Sequence, residues 1–219
     1  QNLKKYTTRL SQFIENADFY VKNEVIETSA ENINLYSNFN NVDLIVTSPS
    51  YINSMNYPMT HRYENLLLGL IPFERYIDHQ KGYFGTERVY SKDYSRLHLI
   101  DESFEYSRYL NPRLKEIYKR EPKRSYIVSK YFSEMHKALD SIIKILKPGG
   151  YFVLVAGSNT VRKVKIDTFE LLKSILEYLG LKYHSSFYYE IIKHSFKLRR
   201  HETANLIKLD GVVVMEKKK

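Results

Sequence analysis

The chain has 219 residues, of which 43% are hydrophobic, so it is long enough and apolar enough to fold as one or two domains around a core. Its 34 basic and 25 acidic residues leave a formal net charge of +9, which suits a polyanionic partner such as nucleic acid. The absence of cysteine excludes disulfides and thiolate metal sites, and we expect no metal. No apolar run approaches the ~18 residues of a membrane span and no signal peptide is visible, so we expect no membrane partner and, by default, a cytoplasmic location.

The first predicted elements are a helix and a short strand. Apolar residues at helical spacing predict a helix over residues 3–19, and residues 23–27 have the composition of a strand. The strand leads into the small polar turn Thr28-Ser29-Ala30. One reading of that turn is an N-cap for a helical turn over residues 32–36, because serine and threonine are favoured at caps.

The chain is organised around an apolar run, Val42 to Val46, that ends in the turn Thr47-Ser48-Pro49-Ser50-Tyr51. A run of this length, rich in β-branched residues and stopped by Ser and Pro, indicates a buried parallel strand. Ligands of open α/β sheets bind beyond the carboxyl ends of such strands, where Ser48 to Tyr51 would lie. Serine and proline are also ordinary turn residues, so a turn of this kind by itself more often indicates a plain loop.

A long connection follows, and it contains a basic segment. A helix is predicted within residues 53–70, with Tyr63 and Leu67 on its apolar face. Residues 111–124 hold six basic and two acidic residues, which predicts either a phosphate-contacting surface or a solvated helix face. The basic residues of this segment are Arg113, Lys115, Lys119, Arg120, Lys123 and Arg124.

The C-terminal part alternates helices and strands. Apolar residues recurring every three or four positions predict a helix over residues 126–146, which Lys147-Pro148-Gly149-Gly150 ends before a strand over residues 151–156. A further helix is predicted over residues 167–179 and a strand over residues 181–194.

The last stretch reads as a basic loop, a turn and a strand. Asp210-Gly211 has the composition of a turn, and residues 212–215 read as the closing strand. The loop before them carries further basic residues, among them Lys197, Arg199 and Arg200.

Three of these features resemble the S-adenosylmethionine-dependent amino methyltransferases of DNA. Ser48-Pro49-Ser50-Tyr51 is similar to their motif IV, which reads Ser, Asp or Asn, then Pro-Pro and an aromatic residue, and Ser50 stands where the second Pro is expected. Leu146-Lys147-Pro148-Gly149-Gly150 resembles the element before their fifth strand. The two late strands resemble the antiparallel pair that ends their sheet, so the resemblance spans roughly residues 23–217.

The resemblance implies an α/β fold, a class I methyltransferase sheet of Rossmann-like form. Residues 1–51 and 125–219 would form its C-terminal portion, and residues 52–124 a long, mainly helical insertion that recognises DNA. The Gly-rich first half, with its Phe-x-Gly-x-Gly turn, is missing. Because the chain begins with Gln1 rather than Met, we expect that half to lie upstream or in a partner chain. A permuted order is the alternative, with Ala156 to Thr160 as the Gly-containing turn and Glu190 as the ribose acid.

The resemblance also implies an activity: site-specific transfer of a methyl group from S-adenosylmethionine to an exocyclic base amine of DNA, as in restriction-modification. The Ser form of motif IV favours cytosine N4, with adenine N6 as the alternative. Ser48 Oγ and the Pro49 carbonyl would accept hydrogen bonds from the amine, and Tyr51 would stack on the flipped base.

The remaining implied contacts concern the cofactor and the DNA. Ser29, Ala30 and Ser48 would contact the cofactor. The basic residues proposed to contact DNA are Arg113, Lys119, Arg120, Lys123, Arg124, Lys197, Arg199 and Arg200. Two other functions stay open, a non-catalytic nucleic-acid-binding subunit and a methyltransferase acting on RNA or protein.

Overall fold

The computed structural model describes residues 2–16, 23–36, 41–52, 57–191 and 209–218. Seven α-helices and six strands lie in these ranges. The helices are α1 (Asn2–Asn16), α2 (Tyr57–Thr60), α3 (Arg62–Leu67), α4 (Tyr76–Lys81), α5 (Ser107–Arg120), α6 (Pro122–Ile145) and α7 (Thr168–Tyr178). The strands are β1 (Val42–Thr47), β2 (Leu146–Gly157), β3 (Asn159–Val161), β4 (Val164–Ile166), β5 (Leu181–Glu190) and β6 (Leu209–Lys217). Short 3₁₀ helices cover Ala30–Leu35, Phe73–Arg75 and Ser91–Tyr94.

The main sheet has four strands in the order β1-β2-β6-β5. β1 and β2 are parallel, whereas β6 runs antiparallel to both β2 and β5. Helices α6 and α7 contact this sheet. The predicted α/β class and the closing antiparallel pair are therefore confirmed. β3 and β4 form a separate hairpin.

The passage from α6 into β2 depends on two glycines. Gly149 has a φ of 76°, a conformation that strongly favours glycine. A Cβ on Gly150 would lie 2.8 Å from Leu146 Cδ1 and 3.0 Å from the Asp43 carbonyl oxygen. The glycines thus let the chain fold back close to β1, and β2 begins at Leu146, earlier than the predicted residue 151.

One face of the sheet forms the core. Alternate residues of β2, Phe152, Leu154 and Ala156, are at most 1% exposed because the side chains of a strand alternate between its faces. They belong to one buried cluster with α6 and α7, in which Phe132 and Leu172 are fully buried. Each of the large side chains, such as Phe152 and Leu172, contributes about 1.5–3 kcal/mol through removal from water.

The opposite face of the sheet is open in the described part of the chain. Leu44 and Val46 of β1 are 53% and 65% exposed, and Phe187 of β5 is 58% exposed. Among the described strands, β1 pairs with β2 alone, so its other edge is free. Exposed apolar side chains beside a free edge mark a surface where further structure can pack.

Two predictions about burial are wrong. β1 is parallel to β2 but is not the buried strand that the sequence predicts, because Leu44 and Val46 are more than half exposed. The helix predicted within residues 53–70 is two short helices, α2 and α3, and Tyr63 and Leu67 of its predicted apolar face are exposed.

Three further sequence predictions are wrong. Residues 23–27 form no strand; Val25 is 97% exposed, and no described strand lies beside it to complete a ladder. Asp210-Gly211 is no turn but lies inside β6, paired with Gly157 and Ala156 of β2. The permuted order fails because β6 lies between β2 and β5, whereas the first two strands of a Rossmann dinucleotide site are neighbours.

Other boundaries differ modestly from prediction. α6 starts at Pro122, four residues before the predicted 126, because proline is well placed in a first helical turn. α1 and β5 end inside their predicted ranges, and residues 17–19 and 192–194 of those ranges fall outside the described residues. No described helix is both long and apolar enough to cross a membrane.

Candidate active site

The Ser48–Tyr51 loop lies at the carboxyl end of β1. Because β1 and β2 are parallel, both strands end at this edge of the sheet. Ser48 is exposed, Pro49 and Tyr51 are half-buried, and the next residue, Ile52, is fully buried in the core. The buried Ile52 therefore anchors the loop, while the Ser48 side chain stays exposed.

Two buried side chains hold the loop backbone. The Tyr131 hydroxyl of α6 donates to the Ser50 carbonyl oxygen at 2.9 Å. The Asn159 amide of β3 donates to the Ile52 carbonyl oxygen. Tyr131 is 1% exposed and Asn159 is 8% exposed, so both anchors are fixed by surrounding packing.

The Pro49 carbonyl differs from the Ser50 and Ile52 carbonyls, which accept hydrogen bonds. Among the described residues, no hydrogen bond to its oxygen is found. The loop therefore presents one hydroxyl oxygen, on Ser48, and one carbonyl oxygen, on Pro49, with capacity to accept hydrogen bonds.

Tyr51 is held at its far end by a carboxylate. Its hydroxyl donates to Asp210 Oδ1 at 2.8 Å, and the Tyr189 hydroxyl donates to Asp210 Oδ2 at 3.2 Å. Burial raises the pKa of Tyr51, and Asp210 raises it further, against a smaller opposing effect of a hydrogen bond from Ser48. Tyr51 therefore stays protonated, as a hydrogen-bond donor to Asp210 must.

The arrangement suits the capture of an amine on a flat ring. Two acceptor oxygens one residue apart can take the two N–H bonds of a primary amine, and this raises electron density on its nitrogen. A half-buried aromatic ring in the same loop can stack on the ring that carries the amine. The described residues contain no cluster of three or more side chains that could hold a metal ion.

Ser29 and Ala30, the predicted cofactor contacts, lie at the start of the Ala30–Leu35 3₁₀ helix. Ser29 is the N-cap of the Ala30–Leu35 3₁₀ helix and accepts a hydrogen bond from the Glu31 amide at 3.4 Å, which matches the capping interpretation. That 3₁₀ helix packs on α6, where the Ser141 hydroxyl donates to Asn34 Oδ1 at 2.6 Å. Across the described residues, no hydrogen bond joins Ser29 or Ala30 to the Ser48–Tyr51 loop.

Three of the predicted DNA-binding arginines make contacts within the protein. Arg113 donates to the Lys165 carbonyl oxygen at 3.2 Å, and Arg120 donates to the Arg162 carbonyl oxygen. These two arginines join α5 to the β3–β4 hairpin. Arg124 pairs with Glu87 at 2.6 Å, so all three have structural partners that compete with a phosphate.

The lysines of the same segment are better placed for an external partner. Lys115 and Lys119 are exposed on α5, and Lys123 is half-buried at the start of α6. Within the described ranges, none of the three has an ion pair. Lys197, Arg199 and Arg200 lie outside the described residues.

Four residues of the site were missed by sequence reasoning. Tyr131 reads as an ordinary core residue of its helix, and Tyr189 as one of many strand tyrosines. Asn159 falls in the Gly-containing turn of the permuted order, and Asp210 falls in a predicted turn. An aspartate beside a glycine gives the same sequence signal in a turn and at a strand end, so only the pairing of β6 distinguishes them.

Comparison with known proteins gives likeness at the level of structure only. No family model and no curated protein sequence matches the chain. A proposed DNA modification methylase from Thermus thermophilus, solved with S-adenosyl-L-methionine, matches 87% of this chain and 53% of its own at 12% identity and a TM-score of 0.43. Another structure of that protein matches 88% and 52% at 13% identity and a TM-score of 0.41.

A SAM-dependent methyltransferase from Methanosarcina mazei is also similar, at 17% identity and a TM-score of 0.29, over 40% of this chain and 52% of its own. The chain thus spans about half the length of the solved proteins it matches.

Proposed function

We propose that this chain is the target-base half of an S-adenosylmethionine-dependent DNA methyltransferase that modifies an exocyclic base amine. The preferred target is cytosine N4, since a serine occupies the first position of the Ser48–Tyr51 loop, and adenine N6 is the alternative. The observation that carries the proposal is the geometry of this loop. An exposed serine and a proline carbonyl that accepts no hydrogen bond from the described residues stand beside a tethered aromatic ring at the end of a parallel strand.

The chemistry needs what this loop offers. An exocyclic base amine is a poor nucleophile because its lone pair is delocalised into the ring. Hydrogen bonds from the amine to Ser48 Oγ and the Pro49 carbonyl would stabilise the charge that develops on nitrogen during attack. Tyr51 would hold the base in place by stacking after it has left the duplex.

The cofactor would supply the methyl group, and the described residues fit only part of its site. The sequence has no Phe-x-Gly-x-Gly turn to let backbone approach a ligand closely, although Ser29, Ala30 and Ser48 remain candidates for contacts. The free edge of β1 and its exposed Leu44 and Val46 are where a further strand can pair and pack. We therefore propose that the Gly-rich turn comes from a separate segment or chain docked at this edge.

The DNA surface is proposed to run along α5 and the start of α6, within the 52–124 insertion. Lys119 and Lys123 are its main phosphate contacts, and Lys115 joins them as an exposed neighbour on α5. Arg113, Arg120 and Arg124 support this surface, since their guanidinium groups hold neighbouring backbone and carboxylate oxygens. Lys197, Arg199 and Arg200 are a second proposed contact.

Ser48→Ala in the complete assembly tests the reaction. Loss of one preorganised acceptor costs ~2–4 kcal/mol of barrier, a rate loss of a hundredfold or more. Ser50→Ala is the matched control, because in the structure the Ser50 backbone carbonyl, rather than its hydroxyl, makes the bond to Tyr131. Nucleoside mass spectrometry of treated duplex DNA measures the rates and distinguishes N4-methylcytosine from N6-methyladenine.

The same assay separates the alternatives. Equal methylation rates for wild type and Ser48→Ala would show that the Ser48–Tyr51 loop takes no part in the reaction. Methylation of RNA or protein in preference to DNA would show that the substrate is RNA or protein. A complete assembly that binds DNA but methylates nothing would support the non-catalytic subunit.

A further inference from the structure

Asp210 is a buried carboxylate whose two oxygens are both used by tyrosines. It is 8% exposed and lies in β6, where its register partners are Gly157 of β2 and Tyr189 of β5. Residues opposite each other in a sheet share a face, so Asp210, Gly157 and Tyr189 all lie on the open face of the sheet.

This register explains how Tyr51 reaches Asp210. β2 lies between β1 and β6, and at the level of Asp210 it carries Gly157. Glycine has no side chain, so nothing from β2 separates the Tyr51 hydroxyl from the carboxylate. The 2.8 Å bond to Oδ1 thus ties the loop after β1 to a strand two positions away in the sheet.

The bond constrains the Tyr51 ring at its tip, as the backbone constrains it at the base. A ring held at both ends loses little freedom when another ring stacks on its face, whereas a loose ring must be ordered by the ligand. Tyr189 occupies the second carboxylate oxygen at 3.2 Å and so helps to fix the orientation of the carboxylate itself.

We propose that Asp210 is a positioning residue, which fixes the plane of the Tyr51 ring so that an extrahelical base stacks on it. This inference rests on the proposed function, because it assumes that Tyr51 is the base-stacking residue. Asp210 acts only through Tyr51 and touches no reacting atom.

The test uses this chain with a single-stranded oligonucleotide that carries one 2-aminopurine, whose fluorescence is quenched by stacking on an aromatic ring. Tyr51→Phe keeps the ring but removes the tether, and Asp210→Ala removes its anchor. We expect each to weaken the quenched complex by about 2- to 12-fold, the range for ordering one free side chain on binding. The double variant should bind no more weakly than either single variant, because both remove the same bond.

Two further variants separate positioning from stability. Asp210→Asn keeps an acceptor for the Tyr51 hydroxyl, so it should restore most of the binding lost in Asp210→Ala. Glu170→Ala is the matched control, since it removes a carboxylate that accepts from Tyr188 at 3.2 Å on an exposed part of β5. Glu170→Ala should leave the quenching unchanged. Thermal unfolding of every variant shows whether it is folded. If Asp210→Ala does not fold, the binding of Tyr51→Phe alone decides whether the tether positions the ring.

The outcomes distinguish this inference from the proposed function. If Tyr51→Ala abolishes quenching but Tyr51→Phe and Asp210→Ala bind as wild type does, Tyr51 stacks on the base without help from Asp210 and the inference is wrong. Additive losses in the double variant would also overturn it. If even Tyr51→Ala quenches as wild type does, the base site itself is misplaced and the proposed function fails with it.

Discussion

The hydroxyl of Tyr131 donates to the Ser50 carbonyl oxygen at 2.9 Å, and this bond joins the middle of α6 to the loop that follows β1. Burial raises the pKa of Tyr131, so its hydroxyl remains a donor throughout the neutral range. The residue that α6 buries for packing thereby also sets the position of the Ser48–Tyr51 loop.

Tyr131→Phe is predicted to lower the free energy of unfolding by about 0.5–1.5 kcal/mol, the usual net contribution of one internal hydrogen bond. The ring is retained, so core packing is preserved. Urea unfolding followed by circular dichroism measures the change. Tyr118→Phe is the control, because its hydroxyl reaches the Ser95 carbonyl oxygen at 3.4 Å in an exposed position and should contribute less. An equal loss in both variants would contradict a special role for Tyr131.

Neutralising Lys119 and Lys123 is predicted to weaken the salt dependence of duplex DNA binding. Each lost phosphate contact reduces the slope of log affinity against log salt by ~0.9. The double variant Lys119→Gln/Lys123→Gln should therefore show a slope smaller by up to ~1.8 in a fluorescence anisotropy titration at several salt concentrations. Lys137→Gln/Lys182→Gln removes the same charge from exposed positions outside this surface. Matching slopes in the two variants would mean that net charge alone governs binding.

Gly211→Ala is predicted to destabilise the fold through its contact with α7. An added Cβ would lie 2.6 Å from two atoms of the Phe169 ring, which is itself 2% exposed and has little room to move. Overpacking of this kind costs about 1–3 kcal/mol, measured by urea unfolding. Gly82→Ala is the control, because there the nearest described atom to the new Cβ is the His79 carbonyl oxygen, at the ordinary contact distance of 3.6 Å. A stable Gly211→Ala variant would show that Phe169 can shift.

His136 is predicted to make stability fall in mild acid. Burial lowers the pKa of His136 despite the opposing effect of Asp140, and its ring lies beside Tyr106 and Phe104. A histidine whose pKa is lower when folded binds protons more readily when unfolded. The stability that neutral His136 contributes is therefore fully present above about pH 6.5, the pKa of histidine in the unfolded chain. This stability is lost as the pH falls below that value.

His136→Gln should accordingly show a smaller drop in the free energy of unfolding between pH 7.5 and pH 5.5 than wild type, measured by urea titration at each pH. His184→Gln changes an exposed histidine on β5 and serves as the control. If wild type and His136→Gln lose stability equally over this range, His136 is not the group responsible.

The sequence alone determined the local elements and the location of the candidate loop. The periodicity of apolar residues located α6 and α7, and apolar, β-branched composition located β1 and the core of β2. These signals are local because they reflect which side chains of one element are buried on the same face. The strand stopped by Ser48-Pro49 placed the candidate acceptors at a carboxyl end, and the parallel pairing with β2 confirms that placement. The same local reasoning failed at residues 23–27. These residues have the composition of a strand, but no strand lies beside them among the described residues.

Only the tertiary structure decided which side chains act together. Asp210 lies 159 positions from Tyr51 in the sequence and reaches it because β6 inserts beside β2, a pairing that no local pattern specifies. The basic segment is equally ambiguous from sequence. Three of its arginines hold the β3–β4 hairpin and Glu87, whereas its three lysines form no ion pair among the described residues. A charge or a hydroxyl has the same local signature whether it faces solvent or a neighbour, so its role follows from the packing around it.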